Sequence, residues 1–336
     1  MDLLSQGVLG AAAPQSVAPP GHARIAMLFG FLAGMAPDLD VFIRSSTDPL
    51  LFLQYHRQFT HALVFIPIGG CLCGWLLHQL LGKRNGLSLR RSIFYCTLGY
   101  ATHGLLDACT TYGTQLFWPF SEARFSWNAV SVVDPLFTVP ILLLVLVSAH
   151  RRYAVLARIA LVWAIAYPMI GLVQRERVEE IGWELARSRG HEPLQLEAKP
   201  SFANLVLWKI VYETDGHYYV DAARLLADGK VYTGDSVPKL DLERDLPWLD
   251  HASQQARDIE RFRWFSDGYV ALEPGQPNRI TDIRYSMLPN QIGGLWGIEL
   301  TPEASERDHA QFITTRNTSR ESTDRFRAML FDTAID

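Results

Sequence analysis

The chain has 336 residues, 31 Lys+Arg against 35 Asp+Glu, a net charge of -4, and 49% apolar residues. The slight excess of acid and the lack of Lys/Arg clustering exclude the electrostatic footprint of a nucleic-acid binder. The totals hide a change near residue 174, since 11 Lys+Arg and 7 Asp+Glu precede it while 20 and 28 come after it. A basic, apolar first half (1–173) and an acidic second half (174–336) therefore read as two domains.

A membrane-crossing helix needs roughly 20 mostly apolar residues. The first half offers about five such runs: Ile25–Ile43, Ala62–Gly82, Ser92–Cys109, Ala129–Ala149 and Tyr153–Gln174. The second of these holds no Asp, Glu, Lys or Arg. Before the first run, residues 2–13 are apolar but short, and Pro14, Pro19 and Pro20 break the chain between them and that run. Cytoplasmic loops are enriched in Lys and Arg. Lys83, Arg84, Arg90 and Arg91 between runs two and three, with Arg151 and Arg152 between four and five, place those loops inside. The N-terminus is then cytoplasmic, and the C-terminal domain lies in the periplasm. No short apolar core behind a basic stretch marks a cleavable signal, so the first run is expected to serve as an uncleaved one.

The polar residues in these runs are the functional signal, because carboxylates and imidazoles in lipid are costly and mark sites. Asp38 and Asp40 follow Pro37 at the outer end of run one, and His56 and His61 precede run two. His103 and Asp107 stand at i and i+4 on run three, so both project from one helix face. At about 1.5 Å per residue they lie roughly 16 and 22 Å from its inner end, at the depth of the others. Neutral imidazole and carboxylate together suit Zn²⁺ or a similar divalent ion, and a catalytic zinc keeps one position open for water. The candidate ligands are Asp38, His56, His61, His103 and Asp107. Asp40 is a second ligand or base, and Asp40 and Asp107 are the catalytic candidates. Asp134 before Pro135 is as well explained as a helix cap. His78 and His22 read as structural, and Arg57 as either a phosphate contact or an interface marker.

The order Met1-Asp2-Leu3-Leu4-Ser5-Gln6, Pro37-Asp38-Leu39-Asp40, His56-Arg57-Gln58-Phe59-Thr60-His61 and His103-Gly104-Leu105-Leu106-Asp107 resembles the YdjM-type family of predicted membrane-bound metal-dependent hydrolases, some of them LexA-regulated. Gly113, Trp118-Pro119-Phe120 and Asp134-Pro135 also look like that family, and the likeness covers about the first 150 residues. The family is in turn similar to the zinc-dependent phospholipase C and nuclease superfamily, which hydrolyses phosphate esters. Resemblance thus implies a hydrolase, with the Asp38/Asp40 pair, His56, His61, His103 and Asp107 as the matching positions. Asp2 and Gln6 share the motif. Twelve residues of helix span only about 18 Å, which leaves open a half-inserted helix or a purely structural role, and these residues are not counted in the site.

The second half reads as a soluble α+β, strand-rich domain. Leu205–Thr214 and His217–Leu226 are joined by Asp215-Gly216, a hairpin signal. Gly268–Leu272, Ile280–Met287 and Leu295–Leu300 are further strand candidates, with helices over Arg175–Arg189 and Leu249–Phe265. All four cysteines lie in the first half, so the second is expected to fold without disulfides. The fold expected is an all-α polytopic membrane domain followed by this soluble domain. The function expected is metal-activated hydrolysis, with zinc the favoured ion, of an ester in a lipid or lipid-linked substrate at the outer face of the bacterial inner membrane. The alternatives are a metal-stabilised scaffold without activity and an ion transporter, the latter requiring inverted repeats that the sequence lacks.

Overall fold

Helices form in the first half where apolar runs are bounded by capping residues and Pro. The computed structural model describes residues 1–226, 229–315 and 319–333. Helix α1 (Leu3–Gln15) starts at Asp2, whose carboxylate accepts from the backbone N–H of Leu4 and Ser5. After the Pro19-Pro20 break the chain returns as α2 (Ala23–Met35). The two form a close antiparallel hairpin, for a Cβ on Gly30 would collide with the Gly10 carbonyl and the Pro14 ring. Helix α2 tightens into a 3-10 stretch, Ala36–Phe42, that carries Asp38 and Asp40. Beyond it come α3 (Leu51–Tyr55), α4 (Ile66–Leu77), α5 (Leu89–Ala108) capped by Ser88, α6 (Pro135–Arg151) capped by Asp134, and α7 (Ala154–Ser188).

Among the described residues, three helical stretches are long and apolar enough to cross a membrane: Pro20–Phe42, Leu63–Asn85 and Ala154–Ser188. Of the five expected spans, the other two fall short for different reasons. Helix α6 is apolar but begins only at Pro135, because Asp134 nucleates it there. Helix α5 has 20 residues but includes Arg90, Arg91 and Asp107. The span and the connecting helix expected around residue 174 are one 35-residue helix, since Val173-Gln174-Arg175-Glu176 contains neither Gly nor Pro to end it.

The second half is α+β. Strands β1 (Gln195–Pro200), β2 (Leu207–Glu213), β3 (His217–Arg224), β4 (Lys230–Tyr232) and β5 (Ser236–Pro238) make an antiparallel sheet in which β4 and β5 both pair with β3. The Asp215-Gly216 hairpin is present, with Tyr212 opposite Tyr219. After α8 (Leu242–Asp245) and α9 (Gln254–Phe265), strands β6 (Val270–Leu272), β7 (Arg279–Asp282), β8 (Trp296–Glu299) and β9 (Gln311–Thr314) form a second antiparallel sheet in sequence order. Helix α10 (Arg320–Phe331) closes the described chain. A core of Val211, Tyr218, Val220, Tyr269, Ala271 and Ile283 joins the two sheets. Strands β1, β4, β5 and β9 and helix α10 were not expected; three of these strands have only three or four residues, too few for a period to emerge.

The chain divides into two units. One comprises Met1–Phe42, Tyr55–Val173 and Phe202–Leu205, and the other Ile43–Gln54, Gln174–Ser201 and the chain from Val206 onward. Two short segments thus fold with the half to which they do not belong in sequence.

Candidate metal centre

Four of the expected residues converge. Asp38, His61, His103 and Asp107 each offer one ligand atom, all within 4.8 Å of one another. His103 and Asp107 share a face of α5, as their spacing dictates. His61 sits in a 3-10 turn, Phe59–His61, which approaches α5 closely because residue 104 is glycine: a Cβ there would collide with the His61 carbonyl. Asp38 comes from the 3-10 end of α2. All but Asp38 are enclosed, its side chain being 18% exposed against 0–1% for the other three.

Hydrogen bonds fix which ring nitrogens face inward. His103 Nδ1 donates to the Gly34 carbonyl at 2.6 Å, so Nε2 of the neutral ring carries the lone pair. Thr60 Oγ1 gives its hydrogen to Asp40 Oδ2, so His61 Nδ1, 3.0 Å from that hydroxyl and 3.3 Å from the same carboxylate oxygen, is the donor of its ring. Both Nε2 lone pairs then point at each other across 2.9 Å. Two acceptors so placed repel unless a metal ion or a shared proton lies between them. Against the penalty of burial, the carboxylates of Asp107, Asp38 and Asp40 raise the His61 imidazole to about 10, which favours either cation.

The surrounding oxygens suit a metal cation. Asp38 Oδ1 is 3.5 and 3.4 Å from the two Nε2 atoms, and Asp107 Oδ2 is 3.2 and 3.6 Å from them. Ligands bound tetrahedrally at about 2.0–2.1 Å lie about 3.3 Å apart, and these spacings bracket that value. Asp107 Oδ2 is also buried with no hydrogen-bond donor, which is expected of an atom reserved for an ion. The residues therefore fit a divalent metal.

Asp40 and His56 stand beside this set. Asp40 Oδ1 accepts from His56 Nδ1 at 2.8 Å, while Oδ2 accepts from the Arg57 backbone N–H and Thr60 Oγ1, both at 3.0 Å. Both oxygens of this buried carboxylate are thus engaged in holding His56 and His61. His56 groups with Asp38 and Asp40 in a second candidate set instead of joining the four.

Gln6, which the sequence reading left out of the site, and Arg57, to which it gave two readings, both belong to the site. Gln6 Nε2 donates to Asp107 Oδ1 at 2.9 Å, and the Met1 nitrogen also contacts that oxygen. Antiparallel packing of α1 on α2 places the start of α1 beside the end of α2, so the chain's beginning lies at the site and not at the opposite face. Its position in the Asp2–Gln6 motif was the available signal. Asp2 itself is a helix cap. Arg57 is buried, with Nε 3.2 Å from Asp107 Oδ2, Nη1 donating to Thr110 Oγ1 at 3.0 Å, and its guanidinium over the Tyr112 ring at 4.8 Å. Its backbone adopts φ 64°, a left-handed conformation costly for a residue with a Cβ. Arg57 thus neutralises Asp107 and does not merely mark an interface.

The profile of the YdjM inner membrane protein family matches residues 1–178, which include every residue of the cluster. The chain belongs to that family. It is 27% identical over 149 residues to inner membrane protein YbcI of Escherichia coli K12, covering 43% of this chain and 80% of that protein. It is 21% identical over 252 residues to the uncharacterized protein YfhP of Bacillus subtilis 168, covering 74% of this chain and 73% of the relative, a match too long for the YdjM region alone. No solved structure matches.

Asp134, His78 and His22 have structural partners. Asp134 accepts from the N–H of Leu136 and Phe137 and from Tyr167 at 2.9 Å, a helix cap outside the metal set. His78 bonds Ser92, and His22 bonds Tyr95. Among the described residues both candidate metal groups lie within the YdjM-matching region, and none involves the histidines of the second half.

Proposed function

We propose that this YdjM family member is a membrane-bound, metal-dependent hydrolase acting on an ester, best a phosphodiester, of a lipid or lipid-linked substrate. The observation that carries the reading is the pair of imidazole Nε2 atoms set 2.9 Å apart with two carboxylates around them, four ligand atoms within 4.8 Å of one another. The chemistry that a divalent ion, zinc by the nature of these donors, would supply when bound is polarisation of a phosphoryl or carbonyl oxygen and acidification of water at neutral pH. The chain supplies the rest. Asp38, His61, His103 and Asp107 would hold the ion; Asp40 orients His61 and His56; Gln6 donates to Asp107 Oδ1, and the Arg57 guanidinium places its charge beside Oδ2. His56, with Nδ1 engaged by Asp40 and its side chain 21% exposed, keeps Nε2 as an acceptor beside the set.

Access supports a lipid substrate. Asp38 is the exposed ligand, and its neighbours Leu39 and Phe42 are 62% and 78% exposed, an apolar margin suited to acyl chains. The Lys/Arg bias of the loops supports a site on the outer side of the inner membrane and a periplasmic second unit.

The test is metal analysis of purified protein with hydrolysis assays on phospholipids and a chromogenic phosphodiester, with and without chelator. Metal bound by the unsubstituted protein and lost in Asp38→Asn, with chelator-sensitive hydrolysis, is expected. Equal metal content in both, or a proton shared between His61 and His103 with no metal bound, would sink the reading.

A further inference from the structure

The apolar stretch Leu63–Asn85 ends on Lys83-Arg84-Asn85, whose charges hold that end at a membrane surface. Residues 63–82 rise about 30 Å as helix, which is the thickness of the hydrocarbon core. None of that length is spare, so Leu63 stands at the opposite surface. The loop after α5 is bonded to that point. The Leu63 N–H donates to the Leu116 carbonyl at 2.9 Å, and the Gln115 N–H to the Arg57 carbonyl at 3.0 Å. Beyond these bonds the chain makes a turn, in which the N–H groups of Phe120 and Ser121 donate to the Phe117 carbonyl at 2.8 and 3.2 Å. The turn carries Phe117 at 48% and Phe120 at 83% exposure. Its surroundings are aromatic too, with Trp118 6.1 Å from Phe59 and Phe117 edge-on to Phe125 at 5.3 Å.

We infer that the turn at residues 117–120 inserts into the lipid headgroup region and seats the metal-binding set at the bilayer surface, where the ester of a lipid headgroup reaches it. The insertion stands on the loop alone, whereas the substrate half rests on the hydrolase reading above. A bilayer is the occupant that this geometry selects, because the aromatic turn is hydrogen-bonded to the residue at which a span enters the lipid. Aromatic side chains collect at that level, where an apolar ring is covered and the backbone of a loop still meets water. The ligands share the level. His61 precedes Leu63 by two residues, at most about 7 Å of chain. The Tyr112 ring, at the start of the same loop, lies 5.9 Å from the His56 ring.

Electron paramagnetic resonance on full-length protein in nanodiscs of phosphatidylethanolamine and phosphatidylglycerol tests the insertion without reference to metal or activity. Cys71→Ser, Cys73→Ser and Cys109→Ala leave only the buried Cys96. A nitroxide is then attached at Phe120→Cys, with Asp215→Cys at an exposed hairpin turn as the reference. Oxygen concentrates in lipid and a nickel chelate in water, so the ratio of oxygen to nickel collisions should be several-fold higher at position 120 than at position 215. Nickel collisions as frequent at 120 as at 215 would put the turn in water, and shielding from both agents would put protein over it; either result overturns the inference. The substrate half is read separately. Phe120→Asp should bind Co²⁺ as the unsubstituted protein does, while its hydrolysis of vesicle phospholipid falls about tenfold or more relative to a soluble chromogenic phosphodiester, the scale of losing one buried Phe side chain. Equal effects on both substrates overturn the headgroup assignment. No hydrolysis of either substrate by the unsubstituted protein overturns the hydrolase reading and the substrate half with it, while the collision ratio still decides the insertion.

Discussion

Removing the acceptors of Asp40 should weaken metal binding without removing a ligand. Asp40→Leu keeps the branching at Cγ, with a somewhat larger side chain, but leaves the donors of His56 Nδ1, the Arg57 backbone, Thr60 and His61 Nδ1 without their partner. The threonine hydroxyl can rotate and His56 is partly exposed to other partners, so the Arg57 N–H and the His61 ring bear the loss. Two buried donors left unpaired cost about 2–6 kcal/mol. His61 is then free to move its proton to Nε2, where the lone pair is needed. Loss of such a supporting carboxylate typically lowers metal affinity by about 10- to 100-fold. Asp40→Asn is milder, since its oxygen in the Oδ2 position still serves Arg57 and His61 while its amide faces His56, which exchanges tautomer; about tenfold or less is expected. Competition titration with Zn²⁺ and a chromophoric chelator, alongside thermal denaturation, measures both effects. Unchanged affinity in Asp40→Leu would refute the orienting role. A loss in Asp40→Asn as complete as in Asp38→Asn would make Asp40 itself a ligand.

Two further outcomes concern groups away from the metal. Asp134→Ala removes the cap of α6 and the acceptor of Tyr167, and should cost about 1–2 kcal/mol in thermal stability while leaving metal content unchanged; loss of metal would return Asp134 to the site. Burial of Lys209 pushes its ammonium down to about 7 from 10.5, against the pull of Asp282 and Asp235. Between about pH 7 and 10.5 the unfolded chain holds a proton that the folded one has released, so Lys209 makes stability rise with pH across that window, by up to about 5 kcal/mol. Lys209→Met should flatten that rise in denaturant titrations of the full-length protein, and an unchanged slope would refute a buried, depressed lysine.

Much of the site was legible because ionisable groups in apolar runs are rare enough to stand out. His103 and Asp107 needed only the helical period to be placed on one face, and Pro37 marked the turn at which Asp38 and Asp40 leave the helix. What the period could not reveal was rank. Asp40 and Asp38 are two residues apart on one tight turn, yet one meets the Nε2 atoms and the other the Nδ1 atoms. Gln6 was set aside on a length argument that assumed a helix crossing from the far side, whereas α1 and α2 lie antiparallel and bring it alongside Asp107. Arg57 could not be read because its left-handed backbone turns its side chain inward. Short strands such as β4 and β5 lack the residues to display alternation, and the continuity of α7 was hidden by a change in composition that helix propensity ignores.

The sequence by itself determined that the first half is apolar with misplaced acids and histidines, that these residues fall at helix ends, and that a strand-rich half comes after it. Local rules suffice for that, since capping, periodicity and the cost of burying charge depend on neighbours within one or two turns. Only the tertiary structure decided which nitrogen of each imidazole faces inward, because the Gly34 carbonyl and the Asp40 carboxylate that take the other nitrogen arrive from separate segments. Hydrogen-bond partners distant in the chain leave no trace in local spacing, and they are what make two lone pairs face each other across 2.9 Å.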